Sequence, residues 1–180
     1  MVGNLLGGYT MNFIKIKTNC ISNGEGIRTA LFVTGCSHKC NGCFNAVAWN
    51  PKSGEPYTTD TLEFILDSLK YPYVDGLSLL GGEPFEEYNL ADLTTLCRMV
   101  NDIYNKEKSI WVYSGFTYEE LILNPKRLEL LQECDILIDG KYEEDKYSPL
   151  LHFRGSSNQR VIDLKQTFEK NEVVLYKTEE

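Results

Sequence analysis

The sequence has no apolar run approaching the roughly 18 to 20 residues that a membrane-spanning helix needs. Its longest runs, such as residues 30–33, are typical of buried strands. Residues 1–10 lack both the basic start and the long apolar core of a secretory signal. We therefore expect no membrane partner, and we divide the chain into a candidate disordered N-terminal extension, residues 1–10, and a single domain, residues 11–180.

Positive charge is also scarce. The chain has 18 Lys and Arg residues against 26 Asp and Glu, which gives a net charge of -8. A protein of this charge repels phosphate backbones, so neither nucleic acid nor an anionic membrane surface is an expected partner. Apolar residues make up 42% of the sequence and charged residues 24%, which is ordinary for a folded globular domain.

The chain is too short for a complete eightfold β/α barrel, which usually needs about 250 residues. Its 180 residues fit one domain of five or six β/α units. Continuous apolar runs, predicted as buried strands, alternate with stretches of helical periodicity. The predicted strands are residues 29–34, 76–80, 109–113 and 135–139, with short strands at 161–164 and 173–176. The predicted helices are residues 58–70, 90–104 and a stretch broken near Pro125 that ends near residue 132. We therefore predict an α/β fold with a mostly parallel, open sheet covered on both faces.

Each of the four main predicted strands ends in a glycine or polar turn. In parallel sheets, ligands bind beyond the carboxyl ends of the strands. We therefore expect four segments to converge on one pocket: the loop that carries three cysteines, the Gly-Gly-Glu-Pro turn at residues 81–84, Ser114 and Asp139.

Three of the six cysteines, Cys36, Cys40 and Cys43, crowd into eight positions. This crowding indicates metal ligation in a reducing cytoplasm rather than disulfides. Three thiolates select an iron-sulfur cluster or zinc, and three protein ligands leave one metal position open. The alternative is a closed zinc site with a fourth ligand, and the candidates for it are His38, Cys20, Cys97 and Cys134. We expect His38 to be a solvated loop residue, and the three distant cysteines to be small buried side chains.

The C-x3-C-x2-C spacing, followed by Phe44, resembles the cluster loop of radical S-adenosylmethionine (SAM) enzymes. More specifically, five ordered motifs resemble the activating subunits of anaerobic ribonucleoside-triphosphate reductases, a family of glycyl-radical activases. They are NGEGIR at residues 23–28, LLGGEP at 79–84, WVYSG at 111–115, IDG at 138–140 and RGSSNQR at 154–160. The resemblance covers most of the chain from Met11 onward and implies a partial, open β/α barrel of the radical SAM type.

The resemblance implies that Cys36, Cys40 and Cys43 hold a [4Fe-4S] cluster whose fourth iron binds SAM. It implies a SAM-binding set made of Gly42, Cys43, Phe44, Gly81, Gly82, Glu83 and Ser114. In that set the Gly-Gly-Glu-Pro turn contacts the SAM amino group and Phe44 lies beside the adenine. No catalytic side chain is implied beyond the cluster and SAM. For Phe44 the alternative is simple core packing, and for Ser114 it is a helix cap. Arg28 and Arg154 are candidates for the SAM carboxylate or for partner docking, with surface ion pairs as the alternative.

The implied activity is reductive cleavage of SAM to a 5'-deoxyadenosyl radical, which forms a glycyl radical on the catalytic subunit of the reductase. Flavodoxin or a similar protein is the implied one-electron donor. Two alternatives remain open. The chain could activate another glycyl radical enzyme such as pyruvate formate-lyase, or it could be a non-catalytic zinc or iron-sulfur module.

Overall fold

The computed structural model describes residues 11–177, which form a mixed α/β fold around one seven-stranded sheet. The predicted extension at residues 1–10 lies outside the described residues. The strands are β1 Asn12–Cys20, β2 Arg28–Val33, β3 Glu55–Pro56, β4 Gly76–Gly81, β5 Ser109–Tyr113, β6 Ile136–Asp139 and β7 Arg160–Asp163. The helices are α1 Thr59–Ser68, α2 Glu87–Ile103, α3 Tyr118–Leu121, α4 Pro125–Leu131 and α5 Leu164–Lys170. Two short 3-10 helices, Ala46–Trp49 and Glu144–Lys146, lie in the connecting loops.

The sheet has the strand order β3-β1-β2-β4-β5-β6-β7 and does not close. Its centre is parallel, because β2 pairs with β4, β4 with β5, and β5 with β6 in the same direction. The outer strands are antiparallel: β1 pairs with β2 and β3, and β7 pairs with β6. The prediction of an open α/β sheet is confirmed. The prediction of a mostly parallel sheet holds for the four central strands and is wrong for the sheet as a whole, since three of its six pairings are antiparallel.

The two faces of the sheet are covered by different parts of the chain. Alternate strand residues such as Leu79, Val112 and Leu137 join the buried side chains of α1, α2, α4 and α5 in one large hydrophobic core. The intervening residues, among them Leu80 and Trp111, form two small clusters on the other face. Within residues 11–177, no α-helix packs into these two clusters, so the expectation of helices on both faces is wrong. The face without helices remains open at the carboxyl ends of the parallel strands.

Local sequence signals account for the helix boundaries. The Thr58 side chain accepts a hydrogen bond from Thr61 N and begins α1 with a capping box. Asn124 caps α4, and Pro125 occupies its first turn, where the missing N–H costs no hydrogen bond. This separates α3 from α4, as predicted. None of the helices between residues 11 and 177 has the length and hydropathy of a membrane span.

Sequence periodicity misses β1 and β3 at one edge of the sheet, and helix α5, whereas the short strand predicted at residues 161–164 is found as the edge strand β7. The predicted strand at residues 173–176 is reduced to an isolated bridge between Ile162 and Leu175. In β1 the signal was present, because exposed Lys15 and Lys17 alternate with less exposed Ile14 and Ile16. The central strands and the helices between them were placed correctly, and they carry most of the candidate site.

Candidate functional site

A cavity of about 230 Å³ lies at the carboxyl ends of the four parallel strands. Its walls come from the cysteine loop (residues 35–45) after β2, the glycine turn (residues 81–84) after β4, the Ser114-Gly115 turn after β5, and Gly140 after β6. The RGSSNQR segment adds Gly155 and Gln159. The predicted convergence of the first three segments is therefore found in the structure.

Cys36, Cys40 and Cys43 all line this cavity, and each is partly exposed. They are free thiols, as are the other three cysteines of the chain. The loop reverses direction through positive φ angles at Gly35, Lys39 and Gly42. Within residues 11–177, no three His, Cys, Asp or Glu side chains stand in an arrangement that could hold a metal ion. The three thiols thus share one cavity without forming a closed ligand set.

The remaining cysteines lie elsewhere. Cys97 and Cys134 are buried in the helix-side core, and Cys20 is buried at the end of β1. None of the three lines the cavity. Soft thiolate donors that face one open space are suited to an iron-sulfur cluster, and the cavity supplies three of them.

Burial raises the pKa of the Cys36 thiol to about 11; the nearby Glu83 carboxylate acts in the same direction, while backbone hydrogen bonds at His38 and Lys39 oppose it. The thiol is therefore protonated at neutral pH in the metal-free protein. Because metals bind the thiolate, metal binding at Cys36 must release a proton.

The glycine turn packs directly against the chain that leads into the cysteine loop. Gly82 N donates to Val33 O at 2.8 Å, and Glu83 N donates to Gly35 O at 2.7 Å. A Cβ atom on Gly81 would lie 2.6 Å from the backbone of Val33, and one on Gly82 would overlap the carbonyl oxygen of Gly35. The two glycines therefore permit close contact between two segments of the protein itself.

Replacing Gly82 by Ala is expected to push the cysteine loop away from the turn. We expect the free energy of unfolding to fall by about 2 kcal/mol, in the range of overpacked sites, with weaker iron binding. Urea denaturation and iron analysis after anaerobic reconstitution measure both effects. Gly155→Ala is the matched control in the same cavity, because the atoms nearest to a Cβ there belong to side chains, namely the ring edge of Tyr142 at 3.1 Å and Gln159 Oε1 at 3.6 Å. Wild-type stability and iron content in Gly82→Ala would contradict this account of the turn.

The Glu83 side chain is 1% exposed, and both carboxylate oxygens accept hydrogen bonds within the protein. Oε1 accepts from Phe85 N and Ser114 Oγ, both at 2.9 Å. Oε2 accepts from Gly115 N at 2.7 Å and from His38 Nε2 at 3.0 Å. A carboxylate has about four acceptor positions, so the acceptor capacity of Glu83 is filled. Ser114, which also accepts from Phe116 N, is fixed against Glu83.

Phe44 is 77% exposed, so the alternative of core packing for this residue is wrong. Its ring contacts the rings of Tyr142 and Tyr147, with centroids 5.4 and 5.9 Å apart. Phe44 and Tyr142 line the cavity. Gly42 does not line it: Gly42 packs against Glu144, whose Oε2 accepts from Asn41 Nδ2 at 2.8 Å. The exposed ring of Phe44, together with its two tyrosine neighbours, is suited to stacking on a flat ring.

Three further candidate residues lie outside the cavity lining. Asp139 does not reach the cavity: it is buried, pairs with Arg160 and accepts from Tyr118 N at 2.7 Å. Arg28 is neither a surface residue nor near the cavity lining; it is 1% exposed at the opposite end of β2. Arg154 donates to Gln159 O at 2.7 Å and does not line the cavity either.

Sequence reasoning missed several residues of the cavity wall. Gln159 donates to Gly140 O and accepts from Gly155 N, which ties the RGSSNQR segment to the end of β6. Its place in that motif was the available signal. Tyr113 and Asn45 each carry a buried polar atom that has no hydrogen-bond partner among residues 11–177. Burial raises the pKa of Tyr113, so its hydroxyl stays protonated.

Two comparisons relate this chain to known proteins. The profile of the 4Fe-4S single cluster domain family matches residues 22–162. The anaerobic ribonucleoside-triphosphate reductase-activating protein of Enterobacteria phage T4 is 39% identical over 84% of this chain and 93% of that protein. The chain belongs to the family of anaerobic ribonucleoside-triphosphate reductase-activating proteins. Other members of the family are the proteins of the same name from Pasteurella multocida (39% identical; 87% of this chain, 99% of that protein) and Escherichia coli K12 (36%; 86% and 100%).

The part of the chain that matches the 4Fe-4S domain begins before the cysteine loop and ends within β7. It includes every segment that lines the cavity. The cavity therefore lies within the matched region, and the three thiols that line it are the donor type that an iron-sulfur cluster uses, although they do not stand in a metal-holding arrangement in this structure.

Proposed function

We propose that this chain reductively cleaves SAM at a [4Fe-4S] cluster and thereby forms the glycyl radical on an anaerobic ribonucleoside-triphosphate reductase. The observation that supports this most strongly is the shared cavity of Cys36, Cys40, Cys43 and the glycine turn in a chain of the activating-protein family. When bound, the reduced cluster supplies the electron that cleaves the sulfonium of SAM to methionine and a 5'-deoxyadenosyl radical.

In this proposal the three cysteines hold the cluster and leave one iron for SAM. The turn at residues 81–84 supplies backbone acceptors for the amino group of SAM, while Glu83 keeps the turn in place. The exposed ring of Phe44 offers a surface for the adenine. Leu80, on the face of the sheet without helices, gives the cavity an apolar wall that limits side reactions with water.

For the fold, we propose that the open sheet is a partial barrel of the radical SAM type, within a single domain of residues 11–180. The four parallel strands are joined by helical connections, and such crossovers are right-handed as a general rule, as the core of such a barrel requires. The partner is the catalytic subunit of the reductase, and a flavodoxin-like protein is the electron donor. The free thiols are suited to a reducing cytoplasm.

The test is anaerobic. The chain is reconstituted with iron and sulfide, reduced, and mixed with SAM, and 5'-deoxyadenosine and methionine are quantified by mass spectrometry. We expect both products in equal amounts. Stoichiometric zinc without 5'-deoxyadenosine would overturn the proposal in favour of a non-catalytic metal module.

The partner is tested separately by electron paramagnetic resonance. The reconstituted chain, SAM and reductant are mixed with the reductase subunit or with pyruvate formate-lyase. We expect a glycyl radical signal with the reductase. A signal with pyruvate formate-lyase alone would assign the activase to the other glycyl radical enzyme.

A further inference from the structure

His38 lies in the middle of the cysteine loop, between two of the three thiols, yet its side chain is only 6% exposed. The sequence-based expectation of a solvated loop residue is therefore wrong. The ring is covered by residues from a different part of the chain: its edge meets Phe116 with centroids 4.4 Å apart, and it packs directly on Gly115. Burial of a polar ring in a loop needs a compensating hydrogen bond.

That hydrogen bond joins His38 Nε2 to Glu83 Oε2 at 3.0 Å. A carboxylate oxygen only accepts, so Nε2 carries the proton and donates. Glu83 in turn is held by Phe85 N, Gly115 N and Ser114 Oγ. The contact therefore links the cysteine loop to the glycine turn and to the end of β5 through one buried carboxylate.

The ring of Phe116, which covers His38, is itself held by a contact with Arg127. The guanidinium of Arg127 lies 3.9 Å from the centroid of Phe116, and Arg127 Nε donates to Phe85 O at 3.0 Å. Phe116 is thereby fixed between α4 and the cysteine loop. The start of the loop is held by backbone hydrogen bonds of Gly35 and Cys36. Further along, Ser37 N donates to Glu86 and Asn41 donates to Glu144, both at exposed sites. The His38 contact is the most buried of the contacts that involve a side chain of the loop or of its partner.

We infer that His38 is a positioning residue, which holds the three thiols of the cysteine loop over the glycine turn through its hydrogen bond to Glu83. Its Nε2 is not available to a metal, because that nitrogen is already bonded to Glu83. The inference rests on the proposed function for the identity of the cluster, but the geometry of the loop can be tested without metal.

The metal-free test measures how fast iodoacetamide alkylates each cysteine of the full chain, with peptide mass spectrometry as the readout. A hydrogen bond to a charged group changes a local equilibrium by about tenfold or more. We therefore expect alkylation of Cys36, Cys40 and Cys43 to be about tenfold faster in His38→Ala, whereas buried Cys97 stays unreactive. His38→Gln keeps a donor at the position of Nε2 and should restore slow alkylation, whereas His38→Asn is too short and should not.

The reconstituted protein gives a second readout, the rate of iron transfer to a ferrous chelator. We expect about tenfold faster transfer from His38→Ala and a near wild-type rate from His38→Gln. A metal ligand would behave differently, because Gln would not replace it. His152, the other histidine of the chain, is exposed, and His152→Ala is the matched control with unchanged rates.

The outcomes separate the two proposals. Wild-type alkylation and iron-transfer rates in His38→Ala would overturn the positioning role, even if wild-type protein cleaves SAM. Iron loss from His38→Gln equal to that from His38→Ala would indicate direct ligation and would also overturn it. If wild-type protein bound no cluster, the proposed function would fail, while faster alkylation in His38→Ala would still support the role of His38.

Discussion

Replacing any one of Cys36, Cys40 or Cys43 by Ser is expected to reduce the iron bound after anaerobic reconstitution from about four atoms per chain to below one. The reason is that a cluster held by three thiolates loses a third of its protein ligands, and an alcohol is a poor substitute for a soft thiolate. Iron and sulfide analysis, with the absorbance of the reconstituted protein, measures the loss. 5'-Deoxyadenosine formation should fall to background in the same variants.

Cys97→Ser and Cys20→Ser are the controls, since neither thiol lines the cavity. They should keep wild-type iron content, although a hydroxyl in the core will reduce stability. An iron content as low in Cys97→Ser as in Cys40→Ser would contradict the ligand set. It would point instead to a site that uses a fourth cysteine.

The second large effect is expected at Arg28, whose side chain is buried and, among residues 11–177, makes no hydrogen bond to an acidic side chain. Its Nε donates to Ser78 Oγ, and its two terminal nitrogens donate to Glu25 O, Leu77 O, Ser109 O and Ser109 Oγ, at 2.6 to 3.0 Å. Burial lowers the pKa of Arg28 to about 10. The planar guanidinium thus joins the loop before β2 to the starts of β4 and β5.

Arg28→Lys keeps the charge but cannot reach these acceptors together, so buried carbonyl groups lose their donors. We expect the free energy of unfolding to fall by about 3 kcal/mol, measured by urea denaturation of the metal-free protein. Arg98→Lys is the control, because Arg98 makes exposed ion pairs with Glu129 and Glu133 and should lose little. Equal stability of Arg28→Lys and wild type would show that the bonds of this guanidinium are not needed for folding.

The predictions that succeeded depended on local patterns. Continuous apolar runs identified the four central strands, and Thr58 and Pro125 marked helix boundaries because capping and proline effects act within one turn. Placing the cysteine loop beside the glycine turn required only the rule that parallel strands end at one edge. These signals were enough to place most of the cavity.

The predictions that failed depended on residues distant in sequence. The burial of His38 depends on Glu83, 45 positions later, and the pairing of Asp139 depends on Arg160. Neither contact leaves a periodic trace in the sequence. The strand β1 and the antiparallel direction of β7 were missed for the same reason, since antiparallel pairing is specified by turns and long-range contacts. Glu83 is an example. The sequence pattern singled it out as a residue of the site, but it could not show that both carboxylate oxygens are already hydrogen-bonded within the protein.

The margins of the unclosed sheet bear on how the protein avoids self-association. An open sheet offers unpaired backbone groups to other chains, which can lead to polymerisation. Here β3 is two exposed residues long and ends in Pro56, which has no N–H to donate, while the rest of β1 carries exposed Lys15 and Lys17. At the other margin, Asp163 N donates to Val174 O and Tyr176 N donates to Val161 O. Residues 174–176 therefore cover the outer edge of β7. Among residues 11–177, the open sheet therefore presents to other copies of the chain, beyond β3, only the lysine-bearing part of β1 as an unpaired edge, and charge makes that edge a poor template for pairing.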